Sequence, residues 1–128
     1  MNALLILLLA LNVKHFIADF LLQPPFMYLN KGTYGHVGGI SHSMLHSLMT
    51  MFIIASMVKL VALSVTPMLC VLIGLMEFIV HYHTDWAKVK LTKKFNLSPT
   101  NSEKYWWLLG ADQLIHALTY ILIAIIIF

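Results

Sequence analysis

The sequence predicts an all-α integral membrane protein, a four-helix bundle with a buried His/Asp/Glu layer in its cytoplasmic half. Three observations predict it. Apolar residues make up 60% of the 128 residues and charged residues 10%, against roughly 25% charged in an ordinary soluble chain. A mean hydropathy of +0.85 cannot be hidden inside a domain of this length, which leaves much of its surface exposed. Four apolar stretches approach the ~20 residues that cross a bilayer as a helix, and each carries ionisable residues spaced by four. Composition excludes a disordered chain, and the single Cys70 excludes a disulfide-stapled scaffold.

The chain reads as a single transmembrane domain, residues 1–128, with helices at about 1–22, 40–64, 68–90 and 105–128. The first is stopped by Gln23-Pro24-Pro25, because proline cannot continue a helix. It lacks the basic start and small-residue cleavage pattern of a signal peptide, so it is expected to be retained. The second follows Gly38-Gly39, and the tight Ser64-Val65-Thr66-Pro67 link folds it into an antiparallel hairpin with the third. Thr100 and Glu103 have the spacing of a capping box for the fourth. Trp86, Trp106 and Trp107 sit where aromatic residues anchor in the headgroup zone.

All eight basic residues are Lys, and the absence of Arg argues against nucleic-acid binding despite a net charge of +3. Lys31 in the first loop and Lys88, Lys90, Lys93, Lys94 and Lys104 around the third place both long loops in the cytoplasm and both termini outside. Lys59 is the exception, near enough to the outer end of its helix to snorkel.

Twelve residues are His, Asp or Glu, and nine lie inside predicted helices in steps of four. They are His15 and Asp19, His42 and His46, Glu77, His81 and Asp85, and Asp112 and His116. A spacing of four stacks two side chains on one helix face, and helices of alternating direction bring all nine to one depth. Each ionisable residue costs roughly 2.5–3.5 kcal/mol to insert, so such residues turn inward and mark function. Neutral imidazoles with carboxylates are the ligand set of Zn, Mn or Fe, and nine candidates suit one or two divalent ions, as in four-helix carboxylate proteins. One His in an apolar helix is read first as hydrogen-bonding glue, but nine costly groups at one depth exceed what adhesion needs. Glu77, Asp85 and Asp112 are the candidate general bases, while Lys14 and Lys88 border the layer and are candidates to hold an anionic substrate. Ser41, Ser43, Ser47 and Gln113 are candidate supports, and His36, His83 and Cys70 are expected to be peripheral.

The stretches His15-Phe-Ile-Ala-Asp19, His42-Ser-Met-Leu-His46, Glu77-Phe-Ile-Val-His81-Tyr-His-Thr-Asp85-Trp-Ala-Lys88 and Asp112-Gln-Leu-Ile-His116 resemble a family of small bacterial and phage membrane proteins of unknown function. That resemblance implies a multi-pass protein of a bacterial inner membrane. His42-Ser43 and His81-x-x-x-Asp85 also resemble, more distantly, the YdjM-type membrane-bound metal-dependent hydrolases. The basic residue expected before the His-Ser step is absent, and Lys88 stands where Thr is expected. This second resemblance implies hydrolysis of a phosphoester, with membrane lipid as surroundings and a lipid phosphate as substrate class. A divalent-metal or proton transporter and a noncatalytic lysis or exclusion factor are the alternatives, and the sequence leaves homo-oligomerisation open.

Overall fold

The computed structural model describes residues 2–128, so the expected start of the first helix at Met1 lies outside the described residues. Helix α1, Ala3–Phe16, is capped by the Asn2 side chain and runs into a π-helical turn, Ile17–Leu21. In that wider turn the Leu22 N–H bonds Ile17 C=O at 2.9 Å, and the Gln23 side chain donates to the Asp19 carbonyl. Such turns gather at functional sites, and this one carries Asp19. A four-residue helix, α2 (Pro25–Tyr28), follows, with Pro at its first position where the missing N–H costs nothing.

The second long helix, α3, spans Val37–Leu60 rather than 40–64. His36 caps it by accepting from the Gly38 N–H at 3.0 Å, which puts Gly38-Gly39 inside the first turn instead of ahead of it. Both glycines allow close approach. A Cβ on Gly38 would press on the Phe26 carbonyl, and one on Gly39 would meet the Tyr82 ring at 3.4 Å and Lys31 Cα at 3.5 Å. Gly38→Ala therefore should lower stability in detergent by roughly 1–3 kcal/mol, read as a fall in the thermal midpoint.

The chain leaves α3 early because Ala62 takes a φ of 53°, after which an extended link reaches Thr66. Thr66 caps α4, Pro67–Lys94, by accepting from the Leu69 N–H at 3.2 Å. This helix runs four residues beyond the expected end, through the Lys cluster. Helix α5 spans Glu103–Ile127. Its cap is Ser102, which accepts from the Lys104 N–H at 3.2 Å, so the expected Thr100–Glu103 capping box does not form and Glu103 is the first helical residue.

All four long helices are long and apolar enough to cross a membrane. They form a closed ring in which α3 packs on α1 and α4, and α5 packs on α4 and α1. Contact between α3 and α4 is closest at Gly74, where Ser47 Oγ donates to the Gly74 carbonyl at 2.7 Å. Leu5, Leu9, Phe52, Leu72, Leu118 and Ile125 are exposed around the ring, an apolar girdle suited to lipid. Inside, Leu7, Leu11, Ile54, Ile73 and Ile123 fill one end, and the polar layer fills the other.

Candidate metal centre

Alternating helix direction puts the C-terminal ends of α1 and α4 beside the N-terminal ends of α3 and α5, and all nine candidates are inside the bundle at that end. Eight are buried, and Asp19 is half-buried. Two carboxylates organise the layer. Asp19 Oδ1 lies 2.9 Å from His42 Nε2 and 3.2 Å from His46 Nε2, while its Oδ2 lies 3.3 Å from His15 Nε2. Asp85 Oδ2 lies 3.3 Å from His42 Nε2 and 3.5 Å from His81 Nε2, and its Oδ1 lies 3.5 Å from His116 Nε2. His116 Nε2 also faces Asp112 Oδ1 at 3.4 Å.

The five imidazoles form one contiguous cluster, in which His81 and His116 are stacked and His42 stands edge-on to His46. Ring centres of His46 and His81 are 3.8 Å apart, those of His81 and His116 4.2 Å, and those of His116 and His15 4.9 Å. All five direct Nε2 towards the carboxylates. Three overlapping groups have ligand atoms within 4.8 Å of one another: Asp19, His42, His46 and His81; His15, His81 and His116; and Asp85, Asp112 and His116.

Their spacing tests the fit to a metal. A charge-assisted hydrogen bond between N and O closes to about 2.7–2.9 Å. Ligands about 2.0–2.1 Å from a tetrahedral zinc stand about 3.3 Å from one another. His42 Nε2 to Asp19 Oδ1 at 2.9 Å matches the first distance, whereas His42 Nε2 and His81 Nε2, 3.2 Å apart, and the separations of 3.4–3.5 Å around His81 and His116 match the second better. His116 Nε2 and Asp112 Oδ1 also have no hydrogen-bond partner among the described residues, although both are buried. The donor set fits a divalent ion of the Zn, Mn or Fe class.

Glu77, expected as a ligand or base, belongs to none of these groups. Its carboxylate is ion-paired with Lys14, and both side chains are almost fully buried. Lys14, expected to meet a substrate, is only 2% exposed, so burial removes it from that role. It also donates to the His46 carbonyl at 3.1 Å and faces His46 Nδ1 at 3.3 Å. Three ammonium protons thus have three acceptors. His46 then carries its own proton on Nε2, towards Asp19, and serves as a donor, which leaves Asp19, His42 and His81 as the free lone pairs of that group.

A cavity of about 330 Å³ opens onto the layer, lined by Asp19, Lys31, Asp85, Lys88, Asp112 and Gln113 among others. Lys88 lies 3.6 Å from Asp112 with its side chain 28% exposed, and Gln113 donates to Asp112 at 3.2 Å. Ser43 and Ser47 bond backbone carbonyls. His83 is exposed on the outside of α4, and Cys70 lies near the other end of that helix.

Two participants escaped the sequence reading. Tyr120 is buried with its hydroxyl 2.9 Å from His15 Nδ1, and it extends the Asp112–His116 stripe by another step of four, a signal present in the sequence. Lys31 reaches Asp85 Oδ2 at 2.8 Å and Asp19 Oδ1 at 3.7 Å from an irregular loop, where no periodicity could announce it.

Fold and site define a helical protein with four membrane-length helices around a buried His/carboxylate layer. A family described as a protein of unknown function (DUF3307) matches residues 4–128, and the chain belongs to that family. No curated protein and no solved structure matches the chain.

Proposed function

We propose that this protein is a membrane-embedded, metal-dependent hydrolase acting on a phosphoester of a lipid or lipid-linked molecule at the inner leaflet. The observation that carries the reading is the cavity of about 330 Å³ at one end of the layer, large enough for a phosphate group, which Asp85 and Asp112 line together with Lys31 and Lys88 while His116 stands behind Asp112. Three ligands are the number at which catalytic zinc sites keep a position for water or substrate. Asp19, His42 and His81 would hold a second ion, with His15 and His46 in support. The ions would supply Lewis acidity and an activated water. The chain's own part is to exclude water from behind, to hold the carboxylates through five imidazoles, and to place Lys88 by the incoming anion. Asp112 would hold the ion at the cavity with Asp85 and His116, and Asp85 also holds the imidazoles around it. The distant resemblance of His42-Ser43 and His81-x-x-x-Asp85 to YdjM-type hydrolases supports the same reaction class.

Transport is the second reading, and the packing behind the layer disfavours it. The Lys14–Glu77 pair, Tyr120 and the Leu7, Leu11, Ile54 and Ile73 core follow the imidazoles, whereas a transport path needs access from both faces. Purified protein should release phosphate or head group from a panel of phospholipids and isoprenoid phosphates, and chelation should stop the release. Protein inactive on the panel that moves metal or protons in sealed vesicles would decide for the transporter, and inactivity in both assays would favour a noncatalytic role.

The Lys distribution supports a cytoplasmic position for the layer in a bacterial inner membrane, with both termini outside. Reporter fusions at the C-terminus should report the outer face and those within residues 95–102 the cytoplasm. A cytoplasmic C-terminus would move the layer, and its substrate, to the other leaflet.

A further inference from the structure

Lys31 is the one lysine among the described residues that reaches both organising carboxylates. Its Nζ stands 2.8 Å from Asp85 Oδ2 and 3.7 Å from Asp19 Oδ1, and its side chain is only 11% exposed. The loop that bears it is tied down on both sides. Gly35 N–H donates to the Tyr82 hydroxyl at 2.6 Å, Tyr34 packs on the rings of Tyr82 and Trp86, and the Lys31 backbone lies against Gly39. The ammonium is therefore delivered to the mouth of the layer by a fixed backbone and a flexible four-carbon stem.

We infer that Lys31 is an internal counter-ion, its ammonium held by Asp19 and Asp85, one carboxylate from each of the two ion sites, and that metal entry requires it to leave. The inference rests on the metal-centre reading above and adds a regulation to it. Without a cation, Asp19 and Asp85 would face each other as carboxylates in a half-closed site, and a lysine charge relieves their repulsion. A divalent ion bound by those oxygens and the Nε2 atoms around them would repel the same ammonium at contact distance. Both cannot stay. The stem lets the head withdraw into the adjoining cavity while the loop keeps its bonds to α4. Lys88, by contrast, meets only Asp112, from a more exposed position, so displacement falls on Lys31.

The test compares metal binding by full-length wild-type protein, Lys31→Met and Lys31→Arg in detergent, using equilibrium dialysis against Zn²⁺ and Mn²⁺. Lys31→Met should bind at least tenfold more tightly than wild type, and Lys31→Arg, which keeps the charge, should bind much as wild type does. In the wild type, adding metal should raise reductive methylation of Lys31 severalfold and leave Lys59, near the other end of the bundle, unchanged. Equal or weaker binding by Lys31→Met, or Lys31 labelling that stays constant or falls with metal, overturns the counter-ion role while the metal centre stands. Absence of binding by every form overturns both.

Discussion

Asp85→Asn is expected to slow phosphoester release by roughly 100- to 1,000-fold, the loss that follows removal of one group on which charge stabilisation at the site depends. Asp85, like Asp19, gathers four basic partners. Its two oxygens face Lys31 from the loop, His42 from α3, His81 from its own helix and His116 from α5. Asparagine keeps the volume and one acceptor but removes the charge that holds these donors together, and it is a poor metal ligand. The effect should come with loss of bound metal, read by elemental analysis of the same preparation. Glu103→Gln, an exposed acidic residue in the first turn of α5, should leave both measurements unchanged. Equal activity for Asp85→Asn and Glu103→Gln would remove Asp85 from the chemistry.

The second large effect concerns stability. Lys14 and Glu77 form an ion pair with both groups almost fully buried, and Glu77 Oε2 has no hydrogen-bond partner among the described residues. Removing one member strands the other charge among apolar side chains, which typically costs about 3–5 kcal/mol, whereas removing both can be nearly neutral. Lys14→Met should therefore unfold at far lower denaturant or temperature in detergent. The double variant Lys14→Met with Glu77→Gln should recover most of that loss. If the double variant is as unstable as the single one, the pair's charge is not what the bundle depends on. Because Lys14 also fixes the His46 proton, both variants should alter the nitrogen chemical shifts of that ring, which a packing change elsewhere would leave alone.

The four long helices were legible because lipid imposes a length and a composition on anything that crosses it, and hydropathy records both. The site was legible for a different reason. Steps of four keep side chains on one helix face, so His42–His46, His81–Asp85 and Asp112–His116 carried their own registration. What escaped has physical causes. The π turn around Asp19 and the four-residue α2 are too short to leave a periodic trace. Thr100 and Ser102 both precede α5, and the nearer hydroxyl took the cap although the farther one had the capping-box spacing. Lys14 follows no stripe. It is adjacent to His15 and so is turned away from it around α1, which carries it towards α3 and α4 and onto Glu77 rather than to the cavity. Lys31 depends on where a loop lands, and only the packing of Tyr34, Gly35 and Gly39 against their neighbours determines that.

Elemental analysis of the detergent-purified protein, side by side with His42→Ala and His81→Ala, tests the metal centre most directly. Wild-type protein should carry one or two equivalents of a divalent ion that survive extensive dialysis, and each substitution should lower that content sharply while the helical content is retained. His42 and His81 are the residues to change, because their Nε2 atoms lie 3.2 Å apart at the centre of the layer and neither Nδ1 has a hydrogen-bond partner among the described residues. Wild-type protein without divalent metal, or a metal content that both substitutions leave unchanged, would contradict the metal centre and return the nine residues to interhelical hydrogen bonding.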